Sequence, residues 1–402
     1  MQLEDHGVIC DTTKRSEAER IAFFNGLFIA TSSSIFCSCQ IGPAKNSSTS
    51  TLKLFRSRDG GISWIELGTR FETKFGGVPG SFSSCQIVEV EKGRLLLIST
   101  WYDRSDPSRE LFDPVTEGLL FSKQLKSFST DDGNTWTAWE QIGVGDLTGC
   151  SSTGPILRWS NGVIAFPFES LKSYNDRKPA VPGAWCVLSY DNGKTFGEPR
   201  LIARHPENKV FYWDQRLCTG KASGDFLALF WTHDIEQKRD LTVHFCKGSL
   251  TDPAAPSPVI RETGIPGQIS APLLLEDGRL LAFVVDREMP GTMTLWLSHD
   301  GGKTWPERLV VYTTTVRGQP VKGVENVDYV EYWADMVKWT YGHPAIRSLG
   351  EGKVMLSYYA GVPDRLSLFW ATVKVGSNAT SADVRNHSFE SEHLEKYEPA
   401  TR

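Results

Sequence analysis

"SHDGGKTW", residues 298–305, recurs in altered form three times upstream, as "SRDGGISW" (57–64), "STDDGNTW" (129–136) and "SYDNGKTF" (189–196). The shared pattern is Ser-x-Asp-x-Gly-x-x-aromatic. Its Asp suits a tight turn, where a carboxylate accepts hydrogen bonds from backbone N–H groups; its Gly admits a positive φ, and its aromatic supplies an apolar anchor. Turn chemistry accounts for every residue type in the box. Asp59, Asp131, Asp191 and Asp300 therefore read as structural rather than reactive.

A second repeat lies beside the first and consists of an apolar segment, a Gly-containing turn and another apolar segment. Its copies span 20–31, 85–100, 154–168, 215–231, 271–285 and 343–360, and their turn glycines (26, 93, 162, 224, 278 and 352) recur at intervals of 54 to 74 residues. Each hairpin leads through a variable loop to a strand, the box and a further strand. Four antiparallel strands in each of six units is the logic of an all-β, six-bladed β-propeller. The segments are short, β-branched or aromatic and broken by Gly, which excludes helices of useful length. The fifth unit is read as lacking a box, with "KGSLTDPAAPSP" (247–258) in its place, and the sixth ends in "LSLFWATVKV" (366–375). The expected organisation is one propeller over 1–375 and a polar tail over 376–402.

The remaining composition agrees with a folded chain. Of 402 residues, 40% are hydrophobic and 23% charged, and 43 basic against 48 acidic side chains give a net charge of −5. No basic run suited to nucleic acid is present, and no apolar stretch is long enough to span a membrane as a helix. Neither is an expected partner. The eight cysteines are scattered without paired CxxC motifs, so no metal or cofactor is expected and the thiols read as buried. The acidic N-terminal stretch reads as cytoplasmic, while triplets at Asn46, Asn378 and Asn386 would suit a secreted chain that had lost a leader.

Four boxes at blade spacing resemble those of the Asp-box (BNR-repeat) proteins of the sialidase superfamily, and the resemblance runs from about residue 20 to residue 375. It implies a six-bladed propeller with the boxes on the face away from the active site, and a carbohydrate substrate. The family's first blade opens with Arg-Ile-Pro, whose Arg grips the substrate carboxylate. Here "ERIAFFNG" keeps Arg20 and Ile21 but has Ala22 in place of Pro. The family's acid/base Asp follows in the loop before the first box, yet "SSSIFCSCQIGPAKNSSTS" contains no carboxylate. The chain thus diverges from the ordinary sialidase mechanism.

The resemblance places the substrate face where each blade's first strand starts and its second strand ends. "FYWDQR" (211–216) brings Tyr212, Trp213, Asp214 and Arg216 there, with Asp214 and Arg216 two apart on one strand and able to reach one ligand or each other. "WTYGHP" (339–344) brings Trp339, Tyr341 and His343, and "WTHD" (231–234) brings His233 and Asp234 as a further proton-transfer candidate. Glu169 and Asp103 are carboxylates at hairpin exits; Arg104 and Arg287 suit an anionic sugar, and Gln268 and Asp286 complete the candidate binding set. Trp333, Met336 and Trp339 stand at helical spacing, as a short helix capping the pocket would require.

Three functions compete. A glycoside hydrolase removing a terminal acidic sugar needs two carboxyl groups, for which Asp214, Glu169 and Asp103 are the candidates. A polysaccharide lyase acting on a uronate would use Arg216, His343 and Tyr358. A propeller that only binds glycan or protein needs neither set. For the two enzymes the partner is an oligosaccharide or glycoconjugate.

Overall fold

The computed structural model describes residues 1–376 apart from Met289, 315–335 and Val337. The capping helix expected around Trp333 and the polar tail beyond Gly376 lie outside the described residues. Six antiparallel blades surround a common axis. Blade 1 comprises Ile21–Ile29, Ile35–Gly42, Thr51–Ser57 and Ile65–Glu66; blade 2 comprises Gly80–Glu91, Arg94–Asp103, Ser122–Ser129 and Glu140–Ile142. Blade 3 is built from Leu157–Arg158, Ile164–Ser170, Gly183–Ser189 and Arg200–Ala203, and blade 4 from Val210–Thr219, Asp225–Asp234, His244–Ser249 and Arg261–Glu262. Ser270–Leu274, Leu280–Asp286, Thr292–Ser298 and Glu307–Thr313 form blade 5. Blade 6 takes Tyr341–Gly350, Lys353–Val362 and Arg365–Lys374, and its outer strand is the N-terminal Gln2–Cys10, paired antiparallel to the third.

The ring is therefore closed by residues from opposite ends of the chain. Sequence periodicity does not reveal this, because "QLEDHGVIC" pairs with residues more than 350 positions away. Blades pack face to face through separate apolar clusters: Phe36 and Leu97 lie between blades 1 and 2, Ile98 and Phe166 between 2 and 3, and Phe230 with Ala165 between 3 and 4. Leu229 and Ala282 join blades 4 and 5, Phe283 and Leu356 join 5 and 6, and Phe23 with Leu368 join 1 and 6. Each blade is apolar on two faces, so none is stable without neighbours.

Two sequence expectations are corrected. Residues 20–31 are not a hairpin: Ile21–Ile29 is one strand, and the turn falls between Ala30 and Ser34. Gly26 is needed for close approach rather than for a turn, since a Cβ there would lie 2.6 Å from the Cys85 carbonyl oxygen in blade 2. The segment without a box, 247–258, belongs to blade 4 rather than to a fifth unit.

The four boxes join the third and fourth strands of blades 1, 2, 3 and 5. In blade 2, Asp131 accepts hydrogen bonds from Thr135 N at 2.8 Å, Thr135 Oγ1 at 2.6 Å and Ser129 Oγ at 2.8 Å. Cations tie the boxes to the preceding blade: Arg56 donates to the Asp132 carbonyl at 2.7 Å, and Lys126 to that of Gly193 at 3.1 Å. Hydrogen bonds from the hydroxyl and amide of Thr135 hold the Asp131 carboxyl down to about 2, against an ordinary 3.8. A depressed carboxyl stabilises the fold above its unfolded pKa and ceases to do so as pH falls through the folded one. Asp131→Ala is therefore expected to lower the melting temperature by a few degrees at neutral pH, and to flatten the loss of stability between about pH 4 and pH 2. Thermal melts across that range test it, and an unchanged acid limb would count against the turn role.

Candidate active site

Four of the six innermost strands carry a β-bulge at corresponding positions. The register slips between Phe23 and Gly26, Phe82 and Cys85, Trp213 and Arg216, and Gly342 and Ala345. Bulges re-aim side chains and strengthen local twist. Here they present Phe24, Ser83, Asp214 and His343 to one cavity on the axis, opposite the box face. Phe24, Asp214 and His343 adopt φ values of 52°, 50° and 56°, a left-handed conformation that non-glycine residues seldom adopt without a structural or functional reason.

The cavity measures about 110 Å³. An apolar cavity of roughly 150 Å³ accommodates a six-membered ring, so this one suits a single sugar ring or part of one. Its walls are mainly aromatic: Trp213 and Trp231 lie 4.7 Å apart by ring centroids, and Trp231 and Trp339 lie 5.7 Å apart. The Arg287 guanidinium lies 3.7 Å from the Trp339 ring centroid. Only 2% of Arg287 is exposed; its guanidinium lies beside the Tyr359 hydroxyl, but among the described residues it makes no well-aligned hydrogen bond and no ion pair. A buried cation left so is costly, and it is poised to receive an anionic group.

Glu169 and Asp214 share the pocket wall. Burial, reinforced by the negative charge of Asp214, pushes the Glu169 carboxyl up to about 8, despite a 2.6 Å hydrogen bond from the Gln215 amide and the opposing influence of Arg216. Both causes favour its protonated form. Asp214 is paired with Arg216, whose Nη2 lies 3.2 Å from Oδ1. His343 donates Nδ1–H to the Asn25 carbonyl at 2.9 Å, which fixes the tautomer and leaves Nε2 an acceptor without a hydrogen bond among the described residues. Burial, with the charge of Arg216 nearby, holds this imidazole well below the usual histidine range.

Lys45 enters from the blade 1 loop in which the resemblance calls for an acid/base Asp. It donates to the Met336 carbonyl at 2.7 Å and to that of Trp339, and its ammonium nitrogen lies 5.2 Å from the Tyr359 ring centroid. Burial, and then the charge of Arg287, holds its amine well below the lysine range.

Of the residues singled out from sequence, Asp214, Glu169, His343, Trp213, Arg287 and Trp339 line this cavity. Three others stand behind it. Arg216 lies beneath the floor, and Gln268 bridges Asp240 at 3.2 Å and the Arg287 amide at 3.0 Å. His233 faces Asp240 at 3.0 Å, and the same carboxylate accepts the Trp231 indole N–H at 2.9 Å.

The other eight are placed elsewhere. Arg20 donates to the Pro43 carbonyl at 2.7 Å on the rim, and Arg104 is consumed by Ser81, Arg109 and Asn46. Asp103, Asp234 and Asp286 each cap a turn through the amide of Ser105, Gln237 or Glu288. Tyr212 packs between Phe230 and His244, and Tyr341 donates to the Asp286 carbonyl at 2.9 Å. Tyr358 points into the interface with blade 5, against Tyr312, so strand alternation brings Tyr359 to the pocket instead. Sequence reasoning missed Tyr359, Lys45, Phe24 and the buried support residue Asp240. Phe24 and Lys45 lie within the quoted "ERIAFFNG" and "SSSIFCSCQIGPAKNSSTS", Tyr359 follows Tyr358, and Asp240 comes six residues after "WTHD".

No family model matches the chain, and no curated protein matches its sequence. Solved structures do match its fold. A protein of unknown function from Dyadobacter fermentans is 17% identical, with a TM-score of 0.69 over 93% of this chain and 99% of that one. A Hadza microbial sialidase is 13% identical, with a TM-score of 0.63 over 91% of this chain and 68% of its own. An α-L-arabinanase from Penicillium chrysogenum, solved with arabinobiose, is 14% identical, with a TM-score of 0.58 over 93% and 99%. Together with the strand order, these likenesses define a sialidase-like, six-bladed β-propeller with a glycoside-hydrolase-like fold.

Proposed function

We propose that the protein is a glycosidase that removes a terminal sugar carrying a carboxylate. The observation that carries this reading is the unlike setting of two carboxyl groups on one pocket wall: Asp214 is ion-paired with Arg216, whereas Glu169 has no ion pair among the described residues and burial favours its protonated form. Unlike environments around two carboxyl groups are how one site supplies both an acid and a base. Glu169 protonates the leaving glycosidic oxygen, and the bond to the anomeric carbon breaks. Asp214 faces the positive charge that develops there; water then attacks the anomeric carbon and passes its proton to the Glu169 carboxylate, which restores the acid. Arg287 grips the sugar carboxylate through paired N–H donors, and Trp213 and Trp339 supply stacking faces. The sialidase and arabinanase neighbours support a glycan as substrate.

A lyase is the competing reading, favoured by the bare Nε2 of His343 as a base beside a carboxylate-binding Arg. The depressed basicity of that imidazole weighs against it. Incubation with sialosides, uronate-terminated oligosaccharides and neutral glycosides separates the two. Product masses showing addition of water to an acidic substrate are expected. An unsaturated, ultraviolet-absorbing product would instead establish the lyase, and turnover of neutral glycosides alone would overturn the role given to Arg287.

A further inference from the structure

We infer that the propeller axis beneath the pocket holds a small monovalent anion of the halide class between Arg216 and Arg347. Below the floor made by Asp214 and His343 lies a second, separate cavity of about 10 Å³, lined by Asn25, Arg216, Pro344 and Arg347 among others, with no carboxylate. That is room for one water-sized particle.

The polar groups around it are unbalanced. Arg216 is 2% exposed; its Nη1 donates to the Pro344 carbonyl at 3.0 Å and its Nη2 to Asp214, while Nε has no partner among the described residues. Arg347 donates only to the carbonyl of its own neighbour Ile346, at 2.8 Å, and has no acidic partner among the described residues. Burial and the nearby Arg216 charge lower its pKa to about 10, offset in part by Cys218. Two guanidinium groups thus meet at one cavity, with a single carboxylate, outside it, to answer them. Water can satisfy the free N–H of Arg216 and the unpaired Oδ1 of Asn25, but it brings no negative charge to the two cations, of which Arg216 is buried and Arg347 partly exposed. A bound anion accepts hydrogen bonds from both arginines and cancels their repulsion. The size of the cavity excludes carboxylate-bearing sugars, which sets this site apart from the pocket above.

The test is thermal melting in increasing sodium chloride or bromide, against sodium gluconate at matched ionic strength to separate binding from screening. A saturable rise of a few degrees with either halide, absent in gluconate, is expected. Arg347→Gln should remove that dependence. Bromide-soaked crystals of the unaltered protein should show one anomalous peak between the two guanidinium groups, a readout that does not depend on the variant folding. Identical melting in halide and gluconate, or no bromide peak on the axis, overturns the inference. Neither measurement involves turnover, so the result stands apart from the fate of the glycosidase reading.

Discussion

Glu169→Gln is expected to lower kcat by roughly 10²- to 10⁴-fold, the usual contribution of a positioned general acid, with little change in KM because the two side chains have the same shape. The unaltered enzyme should lose activity as pH rises through about 8, where Glu169 gives up its proton, and the variant's residual rate should lack that limb. Stability provides an independent reading. A carboxyl raised from 4.5 to about 8 by folding contributes stability that is fully present below its unfolded pKa and is lost as pH climbs to the folded one. Denaturant titrations should therefore show the protein weakening between about pH 4.5 and 8, by at most about 1.4 kcal/mol per pH unit. Glu169→Gln should remove the slope. A flat profile for the unaltered protein would show that the pocket does not hold Glu169 protonated, and the acid role would fall with it.

Much of the scaffold is legible in the chain because its signals are local. A box such as "STDDGNTW" contains its own hydrogen-bond partners, Asp131 with Thr135 and Ser129, so its meaning survives without knowledge of the fold. Five hairpins share that property. The first does not: Gly26 looks like a turn glycine and is instead the point where blade 1 meets the Cys85 carbonyl, a contact that exists only after folding. The closing strand Gln2–Cys10 is hidden for the same reason.

The site is less legible because it depends on bulges. Alternation brings Asp214 and Arg216 within reach of each other, and they pair at 3.2 Å, but it does not show that the slip between Trp213 and Arg216 leaves the carboxylate in the pocket and the guanidinium beneath its floor. Parity also separates Tyr358 from Tyr359, and no local residue type announces which of the two faces the ligand. Lys45 escapes notice because a lysine in a Ser-rich loop reads as solvated, and only the carbonyls of Met336 and Trp339 give it a buried seat.

The largest effect on binding is expected at Arg287. Its guanidinium is buried against the Trp339 ring and beside Tyr359, with no ion pair among the described residues, and a bound anion would offset its charge. Arg287→Met keeps the apolar stem and removes the charge. KM for an acidic glycoside should then rise about 10²-fold or more, as expected when one member of a desolvated charge pair is lost. The free protein should not be weakened, and a gain is expected, because an apolar side chain of similar volume carries no desolvation cost there. Arg287→Lys should recover only part of the binding, since a lysine cannot offer the paired N–H geometry a carboxylate accepts. The decisive comparison uses a substrate whose carboxylate is replaced by an amide. If Arg287 recognises the charge, the methionine variant should lose binding to the acid far more than to the amide. Equal losses on both would mean that Arg287 serves only to prop Trp339 against the pocket wall.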